Sequence, residues 1–278
     1  MSSIEYTDVS IDKQGLKYTM DGGADGHTWN SSVDEFLHNI IGLYATKINI
    51  GIDTDMIAFE FNINKDIDPI DKLTSGVSLY KTKGNVDKHD ISKYGKGIKC
   101  ASHCIYPNGK MILGLCIDDK LHISVYNTKT MCVILPDTEM STKLSKLYTK
   151  KKEQEYEGNY GFLIITEEDT DDYNKIFSRL IGIYSERDIP SEDDEEYIRE
   201  HQKLSNKIAD ITSHINICYN PYLDSNFKEV IEVPTNHIVM KLNGEVINGF
   251  SHTCYSPDEI EDNAELDFAY SCECVIPY

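Results

Sequence analysis

The sequence predicts an α+β protein whose sheet is mostly antiparallel, and three observations carry that expectation. Short β-rich apolar runs follow one another across tight polar turns, the pattern of hairpins rather than of strand-helix-strand crossovers. Other stretches carry apolar residues at helical spacing. No apolar run approaches the ~20 residues that span a bilayer. A chain of 278 residues that is 40% apolar can bury an ordinary core, on a length that suits about two domains.

Residues 31–45, SSVDEFLHNIIGLYA, put Val33, Phe36, Leu37, Ile40, Ile41 and Tyr44 on one stripe, so a helix is expected there. TKINIGI from Thr46 and MIAFEF from Met56 read as strands, and the turn-forming Asp53-Thr54-Asp55 between them makes a hairpin. A polar segment rich in Gly, Lys and Asp leads to a second helix over 97–105. MILGLCI, HISVYN and CVILP are further strands, spaced by Asp-Asp and Asn-Thr turns, and GFLIIT from Gly161 is another. A helical run with Tyr173, Ile176, Phe177, Leu180, Ile181 and Tyr184 closes a first domain, residues 1–190. PSEDDEEYIREHQKLSNKIADI then opens with Pro190 and five acidic residues, where carboxylates favour a helix N-terminus, and reads as an interdomain helix. INICYN, EVIEV and HIVMKLNGEVI suggest a smaller α+β unit within 191–278, and no internal repeat is found.

Charge narrows the function classes. The chain carries 27 basic and 47 acidic residues, a net −20, and from Ser191 onward 5 basic face 18 acidic. Nucleic-acid binding relies on basic residues that displace counterions, so net charge does not support a DNA or chromatin surface. The five lysines between Lys143 and Lys152 read as a solvated helix or loop. The N-terminus lacks the basic start and apolar run of a secretory signal. Eight cysteines without a C-x-x-C fit reduced thiols, so an intracellular protein with no membrane association is expected. His252, Cys254, Cys272 and Cys274 depart from the usual spacing of structural zinc ligands. No Ser-His-Asp or Cys-His arrangement stands out.

Glu35 and Asn39 lie four apart on the first helix, opposite the apolar stripe, and can converge on one ligand. A general base beside an amide oxygen that helps hold Mg²⁺ is what water attack on a nucleotide γ-phosphate requires. The same residues admit a structural reading, because Ser32-Val33-Asp34-Glu35 fits a capping box. Tyr94-Gly95-Lys96-Gly97-Ile98-Lys99 opens the second helix, where glycines admit close approach and free N–H groups with lysine favour phosphate. An ordinary Gly-Lys turn has the same composition.

A helix with E-x-x-x-N, then a hairpin, a polar segment and G-x-G-x-K opening a helix resembles the layout of the GHKL ATPases. HTWNSSVDEFLHNIIGLYATKINIGID is similar to the first motif and following strand of that superfamily, above all in its microrchidia (MORC) branch. ISKYGKGIKCAS resembles the end of the ATP lid, and NYGFLIIT with FSRLIGIYSER the last strand and helix. The resemblance covers about residues 20–190 and implies a two-layer α/β sandwich of the Bergerat type; HIVMKLNGEVI resembles a transducer-like second domain.

By that resemblance ATP and Mg²⁺ are the ligands. Glu35 activates water, Asn39 ligates Mg²⁺, and Gly95, Lys96, Gly97 and Lys99 surround the phosphates. Nucleotide then closes the lid and favours a homodimer. Gly161 falls where the superfamily has a Gly-Thr pair, here followed by Phe162. Its Asp-x-Gly-x-Gly motif is replaced by Asn62-Ile63-Asn64-Lys65-Asp66, in which Asn62 would pair with an adenine edge while Asn64 and Asp66 stand where glycines make room. The alternative implied is a degenerate GHKL fold kept as an interaction or scaffold protein.

Overall fold

A computed structural model describes residues 27–70, 72–73, 97–129, 133–134, 156, 158–167, 176, 195–223 and 237–249. Helix α1 spans Trp29–Ile41 and buries Val33, Phe36, Leu37 and Ile40. Its N-cap is Thr28, whose hydroxyl accepts from the Ser31 backbone N–H at 3.2 Å while Ser31 Oγ accepts from the Thr28 N–H at 2.7 Å. The helix therefore starts before the Ser32–Glu35 pair, and Glu35 lies in its second turn with no capping role. Tyr44 is a second correction: past the C-cap Gly42 it adopts φ +58° and stands exposed rather than extending the stripe.

The remaining elements are β1 (Lys47–Ile52), β2 (Met56–Ile63), α2 (Gly97–Ile105), β3 (Lys110–Ile117), β4 (Lys120–Asn127), β5 (Val133–Ile134), β6 (Asn159–Thr166), α3 (Glu195–Cys218), α4 (Asn220–Leu223), β7 (Val239–Leu242) and β8 (Glu245–Ile247). The strands form one sheet in the order β5-β4-β3-β6-β2-β1-β7-β8, antiparallel at every pairing but β1 with β7. Two hairpins turn on residues with positive φ, Asp118-Asp119 at 49° and 62° and Asn243-Gly244 at 47° and 87°, the geometry that matches the twist of two-residue hairpins.

Alternation along the strands divides the core between two faces. Ile57, Phe59, Phe61 and Ile63 of β2, with Leu163 and Ile165 of β6, join α1, α2 and α3 in the larger cluster. Met56 and Ala58, with Phe162 and Ile164, belong to the smaller one on the opposite face. The centre of the sheet is thus dry on both sides, and β2 is buried at all eight positions.

The expected domain boundary at residue 190 lies outside the described residues. On either side of it the described parts share one sheet and one core: β7 extends β1, and Ile211 and Ile215 of α3 pack in the larger cluster. INIC continues α3 instead of forming a separate element. EVIEV, the lysine-rich run, the zinc candidates and the helical run of residues 173–184, Ile176 excepted, also lie outside the described residues. Among the described residues no helix is long and apolar enough to cross a membrane.

Candidate functional site

The amphipathic stripe of α1 packs it on the sheet and leaves Glu35 and Asn39 beside the start of α2. There the Glu35 carboxylate lies against Gly97, so closely that a Cβ at position 97 would fall on Oε1. Two motifs that are 62 residues apart in sequence, numbered 35 and 97, thereby meet. Asn39 Nδ2 donates to the Glu35 carbonyl at 2.6 Å and to Glu35 Oε1 at 3.3 Å. Burial pushes the Glu35 carboxyl above the usual carboxylate range, opposed by the Asn39 hydrogen bond.

Lys99, in the first turn of α2, is fully buried. Burial lowers its pKa to about 8, with the neighbouring Cys100 opposing that shift. Its backbone stands in the first turn of α2, two residues past Gly97, and a helix N-terminus favours an anion. Tyr94, Gly95 and Lys96 lie outside the described residues.

The residues at the end of β2 and just beyond it have different work. Asn62 alternates with Phe61 and Ile63, which face the helices, so it stands on the other face of the sheet from Glu35. Its Oδ1 accepts from the backbone N–H groups of Thr46 and Lys47 at 2.9 and 2.8 Å, and its Nδ2 donates to Thr46 Oγ1 at 2.9 Å. Both lone pairs of the amide oxygen, which was expected to be presented to adenine, are thereby used within the protein. Asn64 Nδ2 donates to the Tyr44 carbonyl at 2.9 Å, and the N–H groups of Asn64 and Lys65 donate to the Leu43 carbonyl, each at 3.2 Å. Together these bonds clamp the α1–β1 connection and hold Tyr44 in its left-handed conformation. Asp66 is exposed.

Gly161 is a packing glycine. It pairs with Phe61 across β2 and with Leu115 across β3, and a Cβ there would meet the Phe61 ring at 2.6 Å. Its neighbour Phe162 is buried on the opposite face, beside Gly114. His38 packs its ring on Tyr219, with centroids 5.9 Å apart, and burial lowers its pKa.

One arrangement has no counterpart among the expected residues. Asp34 of α1 meets His214 of α3 at 2.9 Å, and His214 in turn meets Cys218. The signal was half visible, since H-x-x-x-C places two side chains on one helix face, but the carboxylate comes from 180 residues away.

No family model matches the chain, and no curated protein matches it. Among solved structures it is similar to the ATPase and transducer domains of DNA topoisomerase II from Balamuthia mandrillaris, at 15% identity over 80% of this chain and 48% of that one, with a TM-score of 0.38. It is also similar to the N-terminal domain of a DNA repair protein, at 13% identity over 77% of this chain and 50% of the other, with a TM-score of 0.34. The chain spans about half the length of each. Likenesses of this degree carry no argument about activity, which rests on the chain's own residues.

Proposed function

We propose that this chain is an ATP-binding, slowly hydrolysing protein of the GHKL superfamily, similar to its MORC branch, with its phosphate site at the corner of α1 and α2. One observation carries the reading: the half-buried Glu35 carboxylate, tied to Asn39, lies on the glycine that opens α2, two residues before the buried Lys99. A carboxyl whose pKa is raised by burial is a stronger base for the proton of an attacking water. A lysine denied a solvent shell gains most from phosphate oxygens.

The donor set fits Mg²⁺. Asn39 uses Nδ2 on Glu35, and among the described residues its Oδ1 accepts no hydrogen bond, which leaves a hard oxygen beside a carboxylate. Bound with the nucleotide, Mg²⁺ would neutralise phosphate charge. The chain's own part is to orient water at Glu35 and to hold the phosphates at Gly97 and Lys99. Nucleotide-driven lid closure and homodimerisation are the conformational output of this proposal. Asn62 takes no part in base recognition, so selection of ATP over GTP is weak.

The test is calorimetric titration with Mg-ATP beside an assay of phosphate release, for wild type and Glu35→Gln. Binding by both with turnover lost in the variant is the expected result. The clamp formed by Asn62 and Asn64 favours the second reading, a scaffold that has converted its base pocket into structure. Absence of Mg-ATP binding by wild type would establish that reading over the first.

A further inference from the structure

At the C-terminal end of α3, three side chains from two helices line up. His214 Nε2 lies 2.9 Å from both carboxylate oxygens of Asp34, and its Nδ1 lies 3.7 Å from Cys218 Sγ. With the Nε2–H donating to the carboxylate, the lone pair is on Nδ1 and faces the thiol, so the S–H donates to a base whose tautomer is fixed by a third group. Cys218 is exposed, whereas Cys100 and Cys116 are buried and the partly buried Cys104 donates to the His27 carbonyl at 3.4 Å. Among the described cysteines, a reagent in solution meets Cys218 first, with a base already in place.

The helix end selects the chemistry. Cys218 is the last residue of α3, where a helix presents carbonyl oxygens. Those dipoles oppose the oxyanion of acyl transfer, which needs N–H donors. Thiol–disulfide exchange develops no oxyanion, because charge passes from one sulfur to another. The same dipoles disfavour a standing thiolate, so the proton leaves as the sulfur attacks.

We propose that Cys218 is a site of reversible thiolation by small disulfides of the glutathione class, with His214 as the base and Asp34 as a positioning residue. Nδ1 of His214 takes the thiol proton while Cys218 Sγ attacks one sulfur of the disulfide. A new S–S bond joins Cys218 to that sulfur as the original S–S bond breaks. The departing thiolate takes the proton back from His214, so one small thiol is released and Cys218 is oxidised to a mixed disulfide. This site stands on its own geometry and does not depend on nucleotide binding.

The experiment incubates the full chain with oxidised glutathione, quenches with acid and follows each cysteine by peptide mass. In the native protein Cys218 is expected to react about tenfold faster than in the urea-unfolded chain, since an unassisted thiol gains nothing from the fold. His214→Gln is expected to slow Cys218 about tenfold and Asp34→Asn several-fold, with Cys104 unchanged as the internal reference. A loosened fold would act in the opposite direction, by raising the rates at the buried Cys100 and Cys116. The proposal is overturned if native Cys218 reacts no faster than unfolded, or if His214→Gln leaves its rate unaltered.

Discussion

The corner between α1 and α2 and the end of β2 treat their polar groups in opposite ways. At the corner, Glu35 is half-buried and Lys99 buried, and their pKa values move in the directions that disfavour charge. At the end of β2, Asn62 and Asn64 spend their amides on groups of the α1–β1 connection. The first region holds titratable groups where charge is disfavoured; the second ties the chain together through hydrogen bonds to the backbone. The lesson is that two motifs legible in one sequence need not have the same fate, and that the hydrogen-bond partners of the polar atoms decide it.

The comparison can be broken most sharply at Glu35. Glu35→Gln is expected to lower phosphate release by about 100-fold or more while the Mg-ATP dissociation constant stays within several-fold, because a general base acts on the transition state. Stability should respond with a definite sign. The folded carboxyl titrates above its unfolded value of 4.5, so wild type loses stability as pH rises through that window. The variant is therefore expected to gain on wild type between acid and neutral pH in urea titrations. A loss of stability instead would return Glu35 to a structural role.

Asn62 should behave in reverse. Asn62→Ala leaves the Thr46 and Lys47 N–H groups without their acceptor and is expected to cost about 2–4 kcal/mol in urea unfolding. The ratio of ATP to GTP dissociation constants should be the same as in wild type. A changed ratio would put Asn62 in the base pocket and erase the contrast between the two regions.

Gly97→Ala is the subtler variant. The atom that its methyl meets is the end of a flexible side chain, so the carboxylate can swing away and stability should fall by less than ~1 kcal/mol. Turnover should still drop, and the double variant with Glu35→Ala should be no worse than Glu35→Ala alone, since both act through the same carboxylate. Additive losses would show that Gly97 matters through something else.

Most of the fold was legible because its signals are local. The β-rich run from Met56, the Asp118-Asp119 turn and the start of α2 at Gly97 follow from composition, spacing and turn chemistry. What was not legible depends on distant partners. The parallel joining of β7 to β1, the capture of Thr46 and Lys47 by Asn62, and the meeting of Asp34 with His214 leave no periodic trace. The cap of α1 was missed for a different reason: Thr28 with Ser31 satisfies the same N–H groups as a Glu-based box, with a hydroxyl in place of the carboxylate.

Whether the corner of α1 and α2 holds nucleotide phosphates, as we propose, is read most directly at Lys99. With a pKa near 8 against 10.5 in the open chain, the buried amine destabilises the fold at neutral pH by up to about 3 kcal/mol, a penalty that fades above pH 8. Lys99→Met should be weaker for its ligand. The measurement is a set of four calorimetric dissociation constants, Mg-ATP and AMP with wild type and Lys99→Met. A loss of about tenfold or more is expected for Mg-ATP and little change for AMP, because in the proposed site the lysine charge meets only the outer phosphates. Equal losses for both ligands, or Mg-ATP affinity unchanged in the variant, would contradict it.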